Sequence, residues 1–362
     1  MVIASVCLGG FLSVAHAGKI PVEVTLKALS PATETAPIYL PTITEATPPG
    51  EVVTLTDTPS MEIAVLTATS SEIDSPTSTT TSIPEKTVTS RPAVPSPTVE
   101  ATVPQLTNPL VVHFINVGQG DSILILSPEG MTILIDGGSA NTGVVAYLRE
   151  LGINKIDLMV ATHPHEDHIG GLTQVLEAMP VTKVVTNGEA YTTAAYEHFL
   201  DAILSSSAEY SEVKRGDTIQ LGRLTFSVLN PGGTLGDDPN ENSIVLRLVY
   251  GTTFLFMGDA GKVSESSILA SNMQVKADIL KIGHHGSCTA TSAAFLGKVE
   301  PAIGIYSAGV NNQYGFPCAA TINTLIKYGV LVLGTDVNGS IIVTVTQDGY
   351  RITNSAGKEI GK

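Results

Sequence analysis

The most informative segment of this chain is Thr162-His163-Pro164-His165-Glu166-Asp167-His168. It follows an apolar run that is predicted to be a buried strand. Three histidines and Asp167 lie within six residues, and a loop leaving a strand can converge such imidazole and carboxylate groups on divalent metal. In an extended turn His163 and His165 point the same way, whereas Asp167 and His168 are expected to begin the next helix, where they can face a second ion. A solvated polar loop is the alternative, and the density of ligand-type residues argues against it.

Two later segments carry the same residue types at strand ends. Ile282-Gly283-His284-His285-Gly286-Ser287 follows one apolar strand, and Phe254-Leu255-Phe256-Met257-Gly258-Asp259 ends another. Five of the eight histidines therefore fall in two short stretches. A Gly-Asp pair after a strand is by itself usually a turn, but Asp259 can also bridge two metals about 3.5 to 4 Å apart, an arrangement that supports hydrolysis.

The hydrophobic pattern from residue 109 onward predicts strands mixed with βα units. Such a mixture favours sheets covered by helices, an α/β sandwich, over an all-β barrel. The predicted strands are 111–117, 122–126, 131–135, 156–161, 183–186, 218–229 (a run of strands), 243–249, 253–257, 277–282, 302–306, 330–333, 340–346 and 350–353; the predicted helices are 142–151, 171–177, 193–205, 263–270, 290–298 and 319–328.

The chain divides by composition near residue 108. Residues 1–17 contain an apolar run, Val2 to Val14, that ends in Ala15-His16-Ala17 and is typical of a signal peptide. They contain no Lys or Arg, which leaves an uncleaved membrane anchor open. Residues 18–108 are predicted to be a disordered Ser/Thr/Pro-rich linker, because 12 of the 21 prolines lie between residues 28 and 108 and few large apolar residues recur there. Residues 109–362 form the folded domain. We therefore expect a secreted or cell-surface protein, with envelope attachment through the N-terminal segment as one option.

The charge of the chain limits its partners. Its 19 Lys and Arg against 34 Asp and Glu give a formal net charge of −15, which argues against a general nucleic-acid-binding protein or a partner of anionic membranes. From residue 109 onward, 15 cations face 24 acids. Nucleic acid is therefore not favoured as the substrate, although divalent metals would reverse the field locally.

The histidine stretch 163–168, Asp259 and the His284/His285 pair together resemble the metallo-β-lactamase superfamily. The fold of that superfamily is a four-layer αββα sandwich that holds one or two metals between its sheets. Further motifs resemble the ComEC-type branch, which includes the hydrolase domain of DNA-internalisation proteins. They are Asn116-Val117-Gly118-Gln119-Gly120-Asp121-Ser122, Ile135-Asp136-Gly137-Gly138, Asn242-Ser243-Ile244-Val245-Leu246 and His284-His285-Gly286-Ser287.

The resemblance implies a set of site residues. The first metal would be held by His163 and His165, the second by Asp167, His168 and a histidine of the pair, and Asp259 would bridge them. His284 is favoured as the ligand from the pair, with His285 as the alternative. Groups implied to orient the ligands or contact substrate are Asp121, Asp136, Asn242, Ser243 and Ser287.

The implied reaction is hydrolysis by metal-activated hydroxide, with Asp167 also holding the attacking water. Zn suits this ligand set best, and Mn is the alternative where oxygen ligands are many. The expected activity is that of a phosphodiesterase, nuclease-like in its chemistry, with nucleic acid possible as the substrate but not favoured by the charge. Other esters, including a phosphocholine ester, a lactone or a β-lactam, are alternatives, as is a degenerate metal-binding module without turnover.

The sequence departs from the resemblance at two places. Many superfamily members supply another histidine from the middle of the chain, but here only His198 lies between the two histidine stretches, and it is predicted to be a surface or packing residue. Asn242 or Ser243 is expected to approach the site instead. Secondly, relatives often carry histidine where this chain has Phe316, which weakens the expectation of nuclease activity more than that of metal binding.

The cysteines predict a disulfide bond. If Cys7 leaves with the export segment, Cys288 and Cys318 remain as an even pair in an oxidising compartment. In the implied fold, both follow loops that border the metal cleft, so we predict that they pair. The alternative is that they are two independent small apolar residues.

Overall fold

The computed structural model describes residues 108–361. The predicted export segment and the linker up to residue 107 lie outside the described residues. Within residues 108–361, no helix is long and apolar enough to cross a membrane.

The first sheet has nine strands in the order β16-β15-β14-β1-β2-β3-β4-β5-β6. Its centre is antiparallel from β14 to β3, and β3 to β6 run parallel. The strands are β1 (Leu110–Phe114), β2 (Ile123–Leu126), β3 (Thr132–Ile135), β4 (Leu158–Val160), β5 (Lys183–Thr186), β6 (Glu209–Glu212), β14 (Ile341–Thr346), β15 (Gly349–Asn354) and β16 (Glu359–Gly361).

The second sheet has seven strands in the order β13-β12-β11-β10-β9-β8-β7. Strands β10 to β13 run parallel, whereas β7 to β10 are antiparallel. The strands are β7 (Thr218–Leu221), β8 (Leu224–Asn230), β9 (Val245–Tyr250), β10 (Thr252–Phe256), β11 (Ile279–Lys281), β12 (Ile303–Tyr306) and β13 (Leu331–Gly334).

Helices cover the outer face of each sheet. Helices α1 to α3 bury their apolar residues against the first sheet, and α4 to α6 do so against the second. The helices are α1 (Val144–Glu150), α2 (Glu166–Ala178), α3 (Ala194–Ser205), α4 (Lys262–Ala270), α5 (Ala293–Val299), α6 (Ala319–Lys327) and a single turn, α7 (Thr335–Asn338).

The inner faces of the two sheets form the central core. Phe114 of β1 packs close to Phe256 of β10, with ring centroids 6.3 Å apart. Because successive strand residues point to opposite faces, Leu255 belongs instead to the outer cluster with the helices. The four-layer αββα sandwich is thereby confirmed.

The element bounds differ from the sequence-based prediction in a few places. The helix predicted at 171–177 begins at Glu166, so that it contains Asp167 and His168 in its first turn. The run 218–229 is a hairpin of β7 and β8, and the prediction missed β6, α7 and β16. Strands β6 and β16 are largely exposed edge strands, so their apolar pattern is weak.

Two glycines, Gly170 and Gly171, lie in the second turn of α2, although glycine lowers helix propensity. A Cβ on Gly171 would overlap the carbonyl oxygen of Gly137, and one on Gly170 would lie 2.5 Å from the backbone nitrogen of Ala140. Because these two glycines have no side chains, α2 packs directly on the loop after β3. The backbone N–H of Gly137 donates to the carbonyl oxygen of His168 at 2.8 Å. This contact ties α2 to Asp136, the residue preceding Gly137.

Candidate metal centre

The first histidine loop, residues 162–168, is held by one buried carboxylate. Asp136 accepts hydrogen bonds from the backbone N–H and the hydroxyl of Thr162, both at 2.8 Å. Its Oδ2 also lies 2.9 Å from Nδ1 of His168. Burial raises the pKa of Asp136, and the neighbouring His168 opposes that shift. Because Nδ1 of His168 is engaged by a carboxylate, its Nε2 is the ring nitrogen left for a ligand.

Asp259 lies at the centre of the histidine cluster. It follows β10 and is 2% exposed. Its Oδ2 lies near the Nε2 atoms of four histidines: His168 at 3.3 Å, His285 at 3.3 Å, His284 at 3.8 Å and His163 at 3.9 Å. A single carboxylate therefore connects the first histidine loop to the later pair, as a bridging ligand would.

The second histidine loop, residues 282–287, has unusual backbone geometry. His284 and His285 have φ values of 46° and 53°, a left-handed conformation that costs roughly 1 to 2 kcal/mol per non-glycine residue. Nδ1 of His285 lies 3.0 Å from the carbonyl oxygen of Ser307, and therefore donates to it. Its Nε2 points to Asp167, 3.4 Å from Oδ2. The strained turn thus aims the buried imidazole of His285 at the first loop.

A buried lysine, which the sequence analysis missed, stands behind the second loop. Lys281 is fully buried at the end of β11, and its Nζ lies 2.5 Å from Oδ2 of Asp121. Oδ1 of Asp121 lies 3.3 Å from Nδ1 of His285. Burial would raise the pKa of Asp121, but Lys281 and then His285 lower it overall. The sequence did contain a signal for this pair, namely a single lysine within an apolar strand. Lysine is almost never fully buried unless it is paired, so such a lysine indicates a buried acidic partner.

The cluster of residues fits divalent metal. Among its buried atoms, Nε2 of His168, Nε2 of His285 and Oδ1 of Asp259 have no hydrogen-bond partner. A buried polar atom without a partner costs about 1 to 3 kcal/mol, so ligation would account for them. Four groups among the described residues bring their ligand atoms within 4.8 Å of one another, and two of them contain only predicted ligands: His163 with His168 and Asp259, and Asp167 with His168 and His285. Imidazole and carboxylate donors of this kind suit Zn or Mn.

Charge coupling in the cluster is strong. Burial alone would lower the pKa of His168 and of His285, but Asp259 and other nearby carboxylates raise both well above the usual range. Burial would raise the pKa of Asp259, yet His285 and His168 hold it well below its usual range. His163, by contrast, has its pKa lowered by burial and by the adjacent His168. Histidine protons and metal therefore compete for the same nitrogens.

The structure does not bring every predicted ligand into the buried groups. His165 lies towards the cleft, with its Nδ1 3.1 Å from Nε2 of His163 and its ring 5.6 Å from that of Tyr191. His284 has a 22% exposed side chain and contacts the Thr289 hydroxyl at 3.3 Å. The geometry favours His285, the alternative, over His284 as the ligand from the pair.

The predicted supporting residues have distinct positions. Ser243 Oγ lies 3.3 Å from Nδ1 of His163 and accepts the backbone N–H of Asp259 at 3.0 Å, so it contacts two candidate ligands. Asn242 is instead engaged with Gly236 and Glu189.

Two further predicted residues lie outside the ligand cluster. The hydroxyl of Ser287 contacts Thr289, behind His284, at 3.0 Å. His198 is exposed on α3.

A disulfide joins Cys288 to Cys318, with their Cα atoms 5.3 Å apart. The backbone N–H of Cys318 also donates to the carbonyl oxygen of Gly286 at 2.9 Å. These bonds fasten the second histidine loop to residues 309–317, which we call the rim loop.

A cleft of about 780 Å³ opens beside the cluster. Its walls include His165, Asp167, Asp259, His284 and His285, so a substrate in the cleft would contact the candidate ligands. The other described lining residues are Gln119, Ser139, Glu166, Tyr191, Thr193, Asn240, Asn312, Gln313, Tyr314 and Phe316. None of these lining residues is Lys or Arg.

Comparison with known proteins agrees with this fold. The family described as the metallo-beta-lactamase superfamily matches residues 115–310. This chain belongs to that superfamily, whose members are generally metal-dependent hydrolases.

The similar proteins include Competence protein ComA of Neisseria gonorrhoeae, which is 30% identical over 65% of this chain and 32% of that protein. The chain is 30% identical to ComE operon protein 3 of Bacillus subtilis, over 70% of this chain and 34% of that protein. It is also 30% identical to Recombination protein 2 of Haemophilus influenzae, over 70% of this chain and 31% of that protein. The chain therefore spans about a third of the length of these relatives. Among solved structures, the metallo-beta-lactamase fold protein YhfI of Bacillus subtilis is 14% identical, with a TM-score of 0.46 over 66% of this chain and 100% of that chain.

Proposed function

We propose that this protein hydrolyses a phosphodiester with one or two divalent metal ions, Zn in the first place and Mn as the alternative. The observation that carries the proposal is the convergence of four histidine Nε2 atoms on Oδ2 of Asp259, beside an open cleft. When bound, such ions polarise a scissile ester and lower the pKa of an attacking water. The similarity to a recombination protein and to a competence protein supports a phosphodiester over the other esters that the superfamily fold accommodates.

Two groups of this chain face the substrate. Asp167 is the candidate catalytic carboxylate, because its side chain is 28% exposed to the cleft. Burial would raise its pKa, but His168 and His285 lower it, so the carboxylate is ionised and could accept a hydrogen bond from an attacking water. His284 lines the cleft and can donate a hydrogen bond to the substrate from Nε2.

Metal analysis and activity assays of the full-length chain test the proposal. Zn or Mn is added, and cleavage of bis(p-nitrophenyl) phosphate and of plasmid DNA is followed in wild type, Asp167→Ala and His198→Ala. We expect Asp167→Ala to lose cleavage and His198→Ala, a change of an exposed histidine, to retain it. Equal activity in wild type and Asp167→Ala would refute the assigned site.

We also propose that the protein acts outside the cytoplasm, either secreted or attached to the envelope. The Cys288–Cys318 disulfide supports this, because structural disulfides persist mainly in oxidising compartments. The apolar segment at residues 1–17 is the expected export signal or anchor. Thiol labelling of intact cells and of their fractions tests the location: recovery in the cytoplasm with both cysteines reduced would contradict it.

A further inference from the structure

We propose that the cleft contains a stacking subsite for a nucleobase, formed by Tyr314 and Phe316 of the rim loop. The preferred substrate would then be a phosphodiester that carries an unpaired nucleoside, rather than duplex DNA. The inference deepens the function proposed above and rests on it for the identity of the scissile bond.

Aromatic rings lead outward from the metal centre. The ring of Phe316 lies 5.9 Å from that of His285 and 5.3 Å from that of His284. Tyr314 stacks on Phe316, with centroids 5.5 Å apart and planes 17° from parallel. Although it packs on Phe316, Tyr314 remains 58% exposed. A flat ring can therefore extend this stack while its ester lies at the metal centre.

The rim loop is fixed before a ligand binds. The side-chain oxygen of Asn312 accepts the backbone N–H groups of Tyr314, at 3.2 Å, and of Phe316, at 3.0 Å. Its Nδ2 donates to the carbonyl oxygens of Phe316, at 2.6 Å, and of Gly309, at 2.9 Å. The Cys288–Cys318 disulfide closes the end of the loop. Because the loop is already ordered, stacking on it loses little conformational entropy.

The chemistry of the cleft wall favours a base over a phosphate backbone. No Lys or Arg is found among the described lining residues, and neutralisation of phosphates by such residues is what dominates binding to duplex DNA. Two amides in the wall, at Gln119 and Asn240, each have a buried polar atom without a partner, Nε2 and Oδ1 respectively. A nucleobase offers both a flat face and an edge with hydrogen-bond donors and acceptors, so it matches the rings and the amides together.

The contribution of the stack can be measured with two matched substrates. One is the dinucleotide thymidylyl-thymidine, and the other has the same phosphodiester but lacks one base. Base–aromatic stacking contributes about 5- to 150-fold in affinity. We expect the metal-loaded, full-length wild type to prefer the dinucleotide at least 5-fold in kcat/KM, mainly through KM.

Variants of the rim loop test whether Tyr314 is responsible. Tyr314→Leu should abolish the preference for the dinucleotide, whereas Tyr314→Phe, which keeps the ring, should retain it. Tyr328→Leu is the matched control, because Tyr328 is 45% exposed at the end of α6 and outside the cleft. Equal kcat/KM of wild type on both substrates, or an unaltered preference in Tyr314→Leu, would overturn the subsite.

A binding measurement distinguishes failure of the proposed hydrolysis from failure of the stacking subsite. If wild type cleaves neither substrate nor bis(p-nitrophenyl) phosphate with Zn or Mn, calorimetric titration with thymidylyl-thymidine still tests the subsite. Binding by wild type that Tyr314→Leu weakens at least 5-fold supports stacking. No binding by wild type, or equal binding by both, refutes it.

Discussion

The two histidine loops reach the same carboxylate, Asp259, by different physical means. The first loop enters a regular helix, and its supporting carboxylate, Asp136, is satisfied by three hydrogen-bond contacts with Thr162 and His168. The second loop turns through two left-handed histidines, and its supporting carboxylate, Asp121, is paired with a buried lysine. The carboxylate behind the first loop is thus held by hydrogen bonds with that loop itself, whereas the carboxylate behind the second loop is held by a buried lysine. They should respond differently to mutation.

The largest effect is expected where the two loops meet. Asp259→Asn keeps the size of the side chain but removes the charge that faces four histidines. Loss of a ligand that contributes several kcal/mol should lower phosphodiester cleavage about 10³-fold or more. Metal content per chain, measured by elemental analysis, should fall in parallel. His198→Ala is the control and should keep its metal. If Asp259→Asn also keeps its full metal content, Asp259 is not a metal ligand.

The second loop should depend on its buried ion pair for stability. Lys281→Met leaves Asp121 as a buried charge without its cation, a change that typically costs 3 to 5 kcal/mol. We expect urea unfolding to report a loss of about that size. The double variant Lys281→Met/Asp121→Asn removes both charges and should recover most of the stability. If the double variant is no more stable than Lys281→Met, the pair does not act through charge compensation.

These two loops also explain how far the sequence could lead. The density of His163, His165, Asp167 and His168 after a strand was enough to predict a metal site and, through the resemblance, the αββα fold. The choice between His284 and His285 was not predictable, because it depends on left-handed backbone angles that no local pattern of adjacent histidines encodes.

The second loop's supporting pair was hidden for a different reason. Lys281 and Asp121 lie 160 positions apart in the chain, so only the folded structure shows that they pair. The hydrophobic pattern alone placed the start of α2 at residue 171 instead of 166, because Gly170 and Gly171 favour close packing over helix propensity, whereas the histidine stretch had indicated a helix start at Asp167 and His168.

The disulfide should stabilise the second loop and not the first. Replacing both Cys288 and Cys318 by serine opens a loop closed across 30 residues, and we expect the free energy of unfolding to fall by about 2 to 4 kcal/mol. Wild type in a strong reductant should lose a similar amount, whereas the double serine variant should not respond to reductant. An oxidised wild type that unfolds at the same urea concentration as the reduced protein would contradict a stabilising role.

The smallest effect is expected at the support of the first loop. In Asp136→Asn, one oxygen still accepts from Thr162, but an N–H group now faces Nδ1 of His168 in place of Oδ2. His168 would then lose the acceptor that fixes its tautomer, and metal affinity should fall about 10- to 100-fold, as is typical when the hydrogen-bond partner of a ligating histidine is removed. Competition with a chromophoric zinc chelator measures this change.

Asp157→Asn is the matched control for Asp136→Asn. Asp157 also accepts a backbone N–H, that of Thr132 at 2.9 Å. Its ion pair is with Lys155, and neither Thr132 nor Lys155 is a candidate ligand. Metal affinity should therefore remain at the wild-type value in Asp157→Asn. If Asp136→Asn also keeps that value, the first loop holds His168 through its backbone alone. The hydrogen bonds of Asp136 would then not be what orients the first loop, and the contrast with the second loop would be wrong.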